Sequence, residues 1–136
     1  MTAKEYLQQY RDAVRRAAAS LDHLEELRAM AMRITPNYSG TGGGGQTGDR
    51  IGAAVARIVD AESRVSDELE LLEATERAVI GTINSVEDER LRGILYRRYI
   101  CGRKWEVIAV DLNIEYRWLL RLHGRALQEV QNIIDH

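Results

Sequence analysis

An all-α fold is predicted, a long antiparallel helical hairpin followed by a C-terminal helix-turn-helix. Three observations predict it. The 136 residues include one proline and no phenylalanine, and Ala, Leu, Glu and Arg abound, residues that lose little rotamer freedom in a helix. Two long segments place apolar residues at steps of three and four, the helical period. Between them lies a glycine-rich stretch that lets the chain turn back.

The first helix is expected over residues 3–33. Tyr6, Tyr10, Val14, Ala17, Leu21, Leu24 and Leu27 form one face and Arg11, Arg15, Glu25 and Arg28 the other. Two tyrosines on such a stripe read as packed core. Residues 34–50 hold Pro36 and six glycines and should form a loop. A second helix should run from Asp49, its N-terminal cap, to Ile83. Its seam is Ile51, Val55, Ile58, Glu62, Val65, Leu69, Leu72, Glu76, Val79 and Ile83, a heptad interrupted twice by glutamate. An antiparallel hairpin suits this pattern better than a parallel zipper. Such a hairpin buries little by itself, so residues 1–83 are also expected to make a homo-oligomer, a dimer at its simplest.

Gly81, Asn84 and Ser85 should end that helix. A third is expected from Val86 to Ile100, with Leu91, Ile94, Leu95 and Tyr99 inward, and Gly102 stopping it. The division is thus residues 1–85, a hairpin with its loop at 34–50, and residues 86–136, a helix-turn-helix domain.

Composition bounds the chemistry. The content is 45% hydrophobic and 29% charged, which supports a folded chain. Cys101 is the one cysteine, so neither an internal disulfide nor a multi-cysteine zinc site can form; it should pack as a small apolar residue. His23, His123 and His136 have no metal-ligand spacing, and no cofactor is expected. No apolar run of roughly 20 residues exists to span a membrane, and the polar start MTAKEYLQQYRD is unlike a signal peptide. A cytoplasmic protein with no membrane partner is expected. No acid, base and nucleophile are grouped as an enzyme would need.

Charge is asymmetric. Residues 1–87 hold 10 Lys/Arg against 14 Asp/Glu, whereas residues 88–127 hold 9 against 5. A basic back half points to an anionic partner.

Residues 105–122, WEVIAVDLNIEYRWLLRL, follow the helix-turn-helix pattern. Ala109 is the small residue where the helices cross. Asn113, four residues on, tolerates the positive φ of the turn. Ile108, Leu112, Ile114, Leu119 and Leu122 supply the core. In that geometry the second helix lies in the major groove of double-stranded DNA, its N-terminal residues facing base edges. Those are Glu115, Tyr116, Arg117, Leu120 and Arg121. Arg117 or Arg121 suits guanine and Glu115 a cytosine amine. Arg97, Arg98, Arg103, Lys104 and Arg125 suit phosphates. Trp118 falls beside this stripe and is expected to pack against Trp105 or the third helix.

The stretch Leu95–Ala109, LYRRYICGRKWEVIA, resembles sigma factor region four. The run Arg121–Leu127, RLHGRAL, with the ITPNYSG loop start and Asp49–Asp60, resembles the RinA/ArpU-like phage transcriptional regulators. The likeness covers most of the chain, and its C-terminal block is the specific part. It implies a phage- or prophage-encoded regulator in a bacterial host cell, an activator of late genes with sigma-like DNA binding, and leaves contact with RNA polymerase open. Glu115 stands where region four more often has a capping Ser or Thr, and Trp118 where a smaller β-branched residue is usual.

Two other readings share these features. A small terminase-like packaging component also joins a helix-turn-helix to oligomerising helices, and a helical interaction module could offer its basic helices to an acidic protein. The stretch Gly40–Thr47 has the spacing of a phosphate-binding loop, but Gln46 replaces its lysine and no strand is expected before it, so it reads as a linker.

Overall fold

The structure, a computed structural model, describes the backbone of residues 1–38 and 44–136 and the side chains of residues 1–33 and 48–136. Five α-helices and no strand occur among the described residues: α1 (Ala3–Tyr38), α2 (Gly44–Asn84), α3 (Glu89–Leu95), α4 (Trp105–Leu112) and α5 (Tyr116–Ile134). A π-helical turn, Tyr96–Ile100, prolongs α3. The fold is all-α. No helix among the described residues is long and apolar enough to cross a membrane.

The loop expected over residues 34–50 lies partly outside the described residues, as does the Gly40–Thr47 stretch. On either side, helical backbone reaches Tyr38 and resumes at Gly44. Asp49 is therefore inside α2 and not at its cap. Side-chain periodicity marks which face is buried and is a poor guide to where a backbone stops.

The chain forms two compact units, residues Met1–Val14 with Leu72–His136, and residues Arg15–Leu71. The boundary crosses both long helices and does not fall at residue 85. The physical reason is the first unit's core, which draws on both sides of that division. Ala3, Leu7, Val79, Ile83, Val86, Leu91, Ile94, Leu95, Tyr99, Ile108, Ala109, Leu119, Leu122, Ala126 and Val130 form one buried cluster. Tyr6 and Tyr10 pack against it, half-buried. The Tyr6 hydroxyl donates to the Ala78 carbonyl at 3.1 Å and lies 2.8 Å from Thr82 Oγ1. Burial raises the Tyr10 hydroxyl above its ordinary pKa, with the Glu76 carboxylate adding to the effect.

The second unit is an antiparallel helical pair with a small core. Leu24 and Leu27 pack on Ala61, with Ile58 and Val65 beside them. Ion pairs Arg16–Glu68 at 3.7 Å and Arg28–Glu62 at 3.3 Å span the pair. Of the two interleaved seven-residue series expected to line α2's seam, Ile51, Ile58, Val65, Leu72 and Val79 are buried or half-buried; in the other, Val55, Glu62 and Leu69 are exposed, Glu76 is half-buried and Ile83 is buried. Ala61 takes the inner place expected of Glu62. A carboxylate keeps its hydration and an exposed arginine partner more cheaply than it enters an apolar seam.

Candidate nucleic-acid interface

The connection into the helix-turn-helix is set locally. Asp88 caps α3, its carboxylate accepting from the Arg90 N–H at 2.9 Å. The third helix thus starts at Glu89, three residues after the expected Val86, which is buried in the preceding loop. Arg92 donates to the Val86 and Glu87 carbonyls, each at 2.7 Å, and so holds that loop. Leu91, Ile94, Leu95 and Tyr99 point inward as expected. Gly102 adopts a φ of 69°, the left-handed region that glycine enters without a Cβ penalty. A side chain there would also strike the Arg11 guanidinium, 2.7 Å from where its Cβ would sit. Cys101 is exposed, a correction to the expected packing, because the π-helical turn ends just before it.

The turn between α4 and α5 is a Schellman motif. Asn113 has φ 52° and ψ 48°, and it is the only non-glycine residue of positive φ among those described. Its N–H donates to the Val110 carbonyl, and the Ile114 N–H donates to the Ala109 carbonyl, both at 3.1 Å. Two carbonyls orphaned at the end of α4 are thereby satisfied. Ala109 is buried where α4 meets α5, and Ile108, Leu119 and Leu122 are buried around it. Leu112 and Ile114 are partly buried against the same cluster.

The inward stripe of α5 is Leu119, Leu122, Ala126 and Val130. Helical geometry then turns Arg117, Leu120, Arg121, Gly124 and Gln128 away from the core, and all five are exposed. The expected base-facing residues are therefore together on the first turns of α5. Glu115 occupies the N-cap position in extended backbone but makes no capping hydrogen bond with its side chain. Tyr116 is exposed on the flank nearer His123. Gly124 and Gln128 continue the stripe but are not among the residues expected at the interface, because glycine and glutamine carry no charge signal in a sequence.

The five cations expected at phosphates are less uniform. Lys104 precedes α4 and is exposed. Arg103 is paired with Asp111 at 3.0 Å. Arg98 donates to the Arg103 carbonyl at 2.9 Å and lies 4.7 Å from the centre of the Trp105 ring. Arg125 lies 5.4 Å from the Trp118 ring centre. Arg97 folds back on its own helix, donating to the Gly93 carbonyl at 3.1 Å, and lines a groove with Glu89, Arg92 and Tyr96. Four of the five thus already have an intramolecular contact, and Lys104 is the one without such a contact among those described.

Trp118 packs beside α3, sharing a groove of about 290 Å³ with Ile94, Leu112 and Ile114. Trp105 instead tilts against His123, with ring centres 4.4 Å apart. His123 Nε2 and the Tyr99 hydroxyl share a 2.8 Å hydrogen bond. Burial lowers the His123 pKa to about 4, with Lys4 and Arg98 adding positive charge nearby. Burial likewise pushes the Tyr99 hydroxyl up to about 12. Both groups are held neutral, so this cluster braces the third helix against α5.

No protein-family model matches the chain, and no curated protein and no solved structure matches it either.

Proposed function

We propose that this chain is a sequence-specific DNA-binding transcription regulator that inserts α5 into the major groove. The observation that carries this reading is the Asn113 turn. It sets α5 against α4 while leaving Arg117, Leu120 and Arg121 on one exposed face. A helix held by its inner face, with two arginines outward on its first two turns that have no partner among the described residues, matches what base-edge recognition requires. The 9 Lys/Arg against 5 Asp/Glu of residues 88–127 supply the attraction to phosphate. On the resemblance drawn from the sequence, the regulator is of the RinA/ArpU-like phage type, an activator of late genes acting in a bacterial cytoplasm. It works as a dimer joined through the hairpin, with RNA polymerase a further candidate contact.

The test is titration with random duplex DNA at about 50 mM and 200 mM salt, a range over which phosphate contacts show as lost affinity. A steep salt dependence is expected. Absence of binding at both salts would reject the reading in favour of a helical module that engages an acidic protein.

A further inference from the structure

Gly124 stands in the middle of α5, on the same exposed stripe as Arg117 and Arg121. Glycine in a helix interior weakens the helix relative to alanine. Nothing in this unit demands it, since a Cβ built at Gly124 meets no atom within 4 Å. The bare backbone there borders a shallow groove of about 220 Å³ between α5 and the start of α1, lined by Thr2, Ala3, Lys4, Leu127, Gln128 and Gln131 as well. Two of the N–H groups at the start of α1 are already occupied. That of Ala3 donates to Gln131 Oε1 at 2.8 Å and that of Glu5 to Thr2 Oγ1 at 3.1 Å. The cationic side chain lining the groove is that of Lys4, which is exposed and pairs with no carboxylate among the described residues. Lys4 is also close enough to His123 to depress its pKa, which puts its charge at α5 although it belongs to the acidic front half.

We infer that this groove seats one phosphodiester strand of the duplex, Gly124 admitting the strand against the helix and Lys4 holding its charge. The groove continues the base-facing stripe one turn further along α5, where a helix lying in the major groove runs out towards the backbone. The absent side chain explains the glycine: a methyl group would stand where the strand must pass. This inference rests on the DNA-binding reading above and adds to it a contact from the first helix.

The experiment compares the full-length wild type with Gly124→Ala, Gly124→Leu and Lys4→Gln. Melting curves are measured alongside titration with random and selected duplexes at two salt concentrations. Gly124→Ala is expected to raise Tm by about 3 °C, through helix propensity. It should nonetheless weaken binding about tenfold, equally on all sequences, with Gly124→Leu weaker still. Lys4→Gln should reduce the salt slope by about 1. Wild-type affinity in both glycine variants overturns the site, as does an unchanged slope in Lys4→Gln. A loss confined to the selected sequence also overturns it, since that marks a base contact. Failure of the wild type itself to bind duplex removes the DNA-binding reading and the site together, an outcome distinct from the others.

Discussion

Arg117 and Arg121, like Lys104, have no intramolecular partner among the described residues, whereas the other arginines of the basic half each have one. That difference predicts different behaviour. Arg117→Ala or Arg121→Ala should cost about 1–3 kcal/mol on a selected site and relax base preference at one position. Arg125→Ala should weaken every duplex alike and flatten the salt dependence. Equal loss from all three variants on all sequences, measured by competition against random duplex, would contradict the base-facing assignment. His123 gives a second prediction at this scale. Its folded pKa of about 4 lies below the ordinary 6.5 because burial disfavours the imidazolium. The unfolded chain therefore binds the extra proton first, and stability present above pH 6.5 drains away as pH falls towards 4. The loss should be on the order of 1–2 kcal/mol, less than the full shift implies because the ring is partly solvated. His123→Gln should flatten that slope in melting curves taken across the range, and an unchanged slope would exonerate the histidine. At this scale the sequence was informative where a residue type answers a backbone demand. Asn113 could be read because few residues enter the left-handed region, and Ala109 because close crossing needs a small side chain. Gly124 and Lys4 could not, since their roles depend on which surface the third dimension brings beside them.

Each long helix shows what periodicity can and cannot disclose. The heptad of α2 is genuine in one series, Ile51 to Val79, while the other fails over Val55, Glu62 and Leu69, where a pair of helices buries a narrow stripe, and holds again at the buried Ile83. Glu62 was the visible sign, a charge that a seam would exclude and that the structure places outside with Arg28. The unit of residues 15–71 keeps a core of Leu24, Leu27 and Ala61 with two half-buried neighbours, while Leu21, Val55, Val59 and Leu69 stay between 44% and 55% exposed. Helical spacing puts Val55, Val59 and Leu69 along one flank of α2. A helical pair with so small a core gains by burying such a flank against a second pair, as helical bundles do. Leu21→Lys combined with Val59→Lys should then shift sedimentation towards the monomer and lower Tm only as far as association had raised it. A mass that is monomeric and independent of concentration in the wild type would rule out this role for the hairpin.

Across the whole molecule, the helix-turn-helix shares its core with the two long helices. Leu7 on α1 and Val79 and Ile83 on α2 are at most 1% exposed within the same cluster as Ile94, Ile108, Leu119 and Leu122. The sequence placed a boundary after residue 85 because the charge balance and the glycine, asparagine and serine signals change there. Cores ignore such signals, since what closes them is apolar area, and part of it here comes from Leu7, Val79 and Ile83. Leu7→Ala leaves a void in this shared cluster and should cost about 2–5 kcal/mol. The loss should appear as a lowered Tm in the protection of amides on α4 and α5, far from residue 7 in sequence. If DNA binding rests on α5, affinity at a temperature below that Tm should be unchanged, because Leu7 faces inward and touches no ligand. A fragment spanning residues 86–136 should lack cooperative unfolding altogether. Its folding unaided, with amides of α5 protected as in the full chain, would show that the first helix only covers the helix-turn-helix and does not complete it.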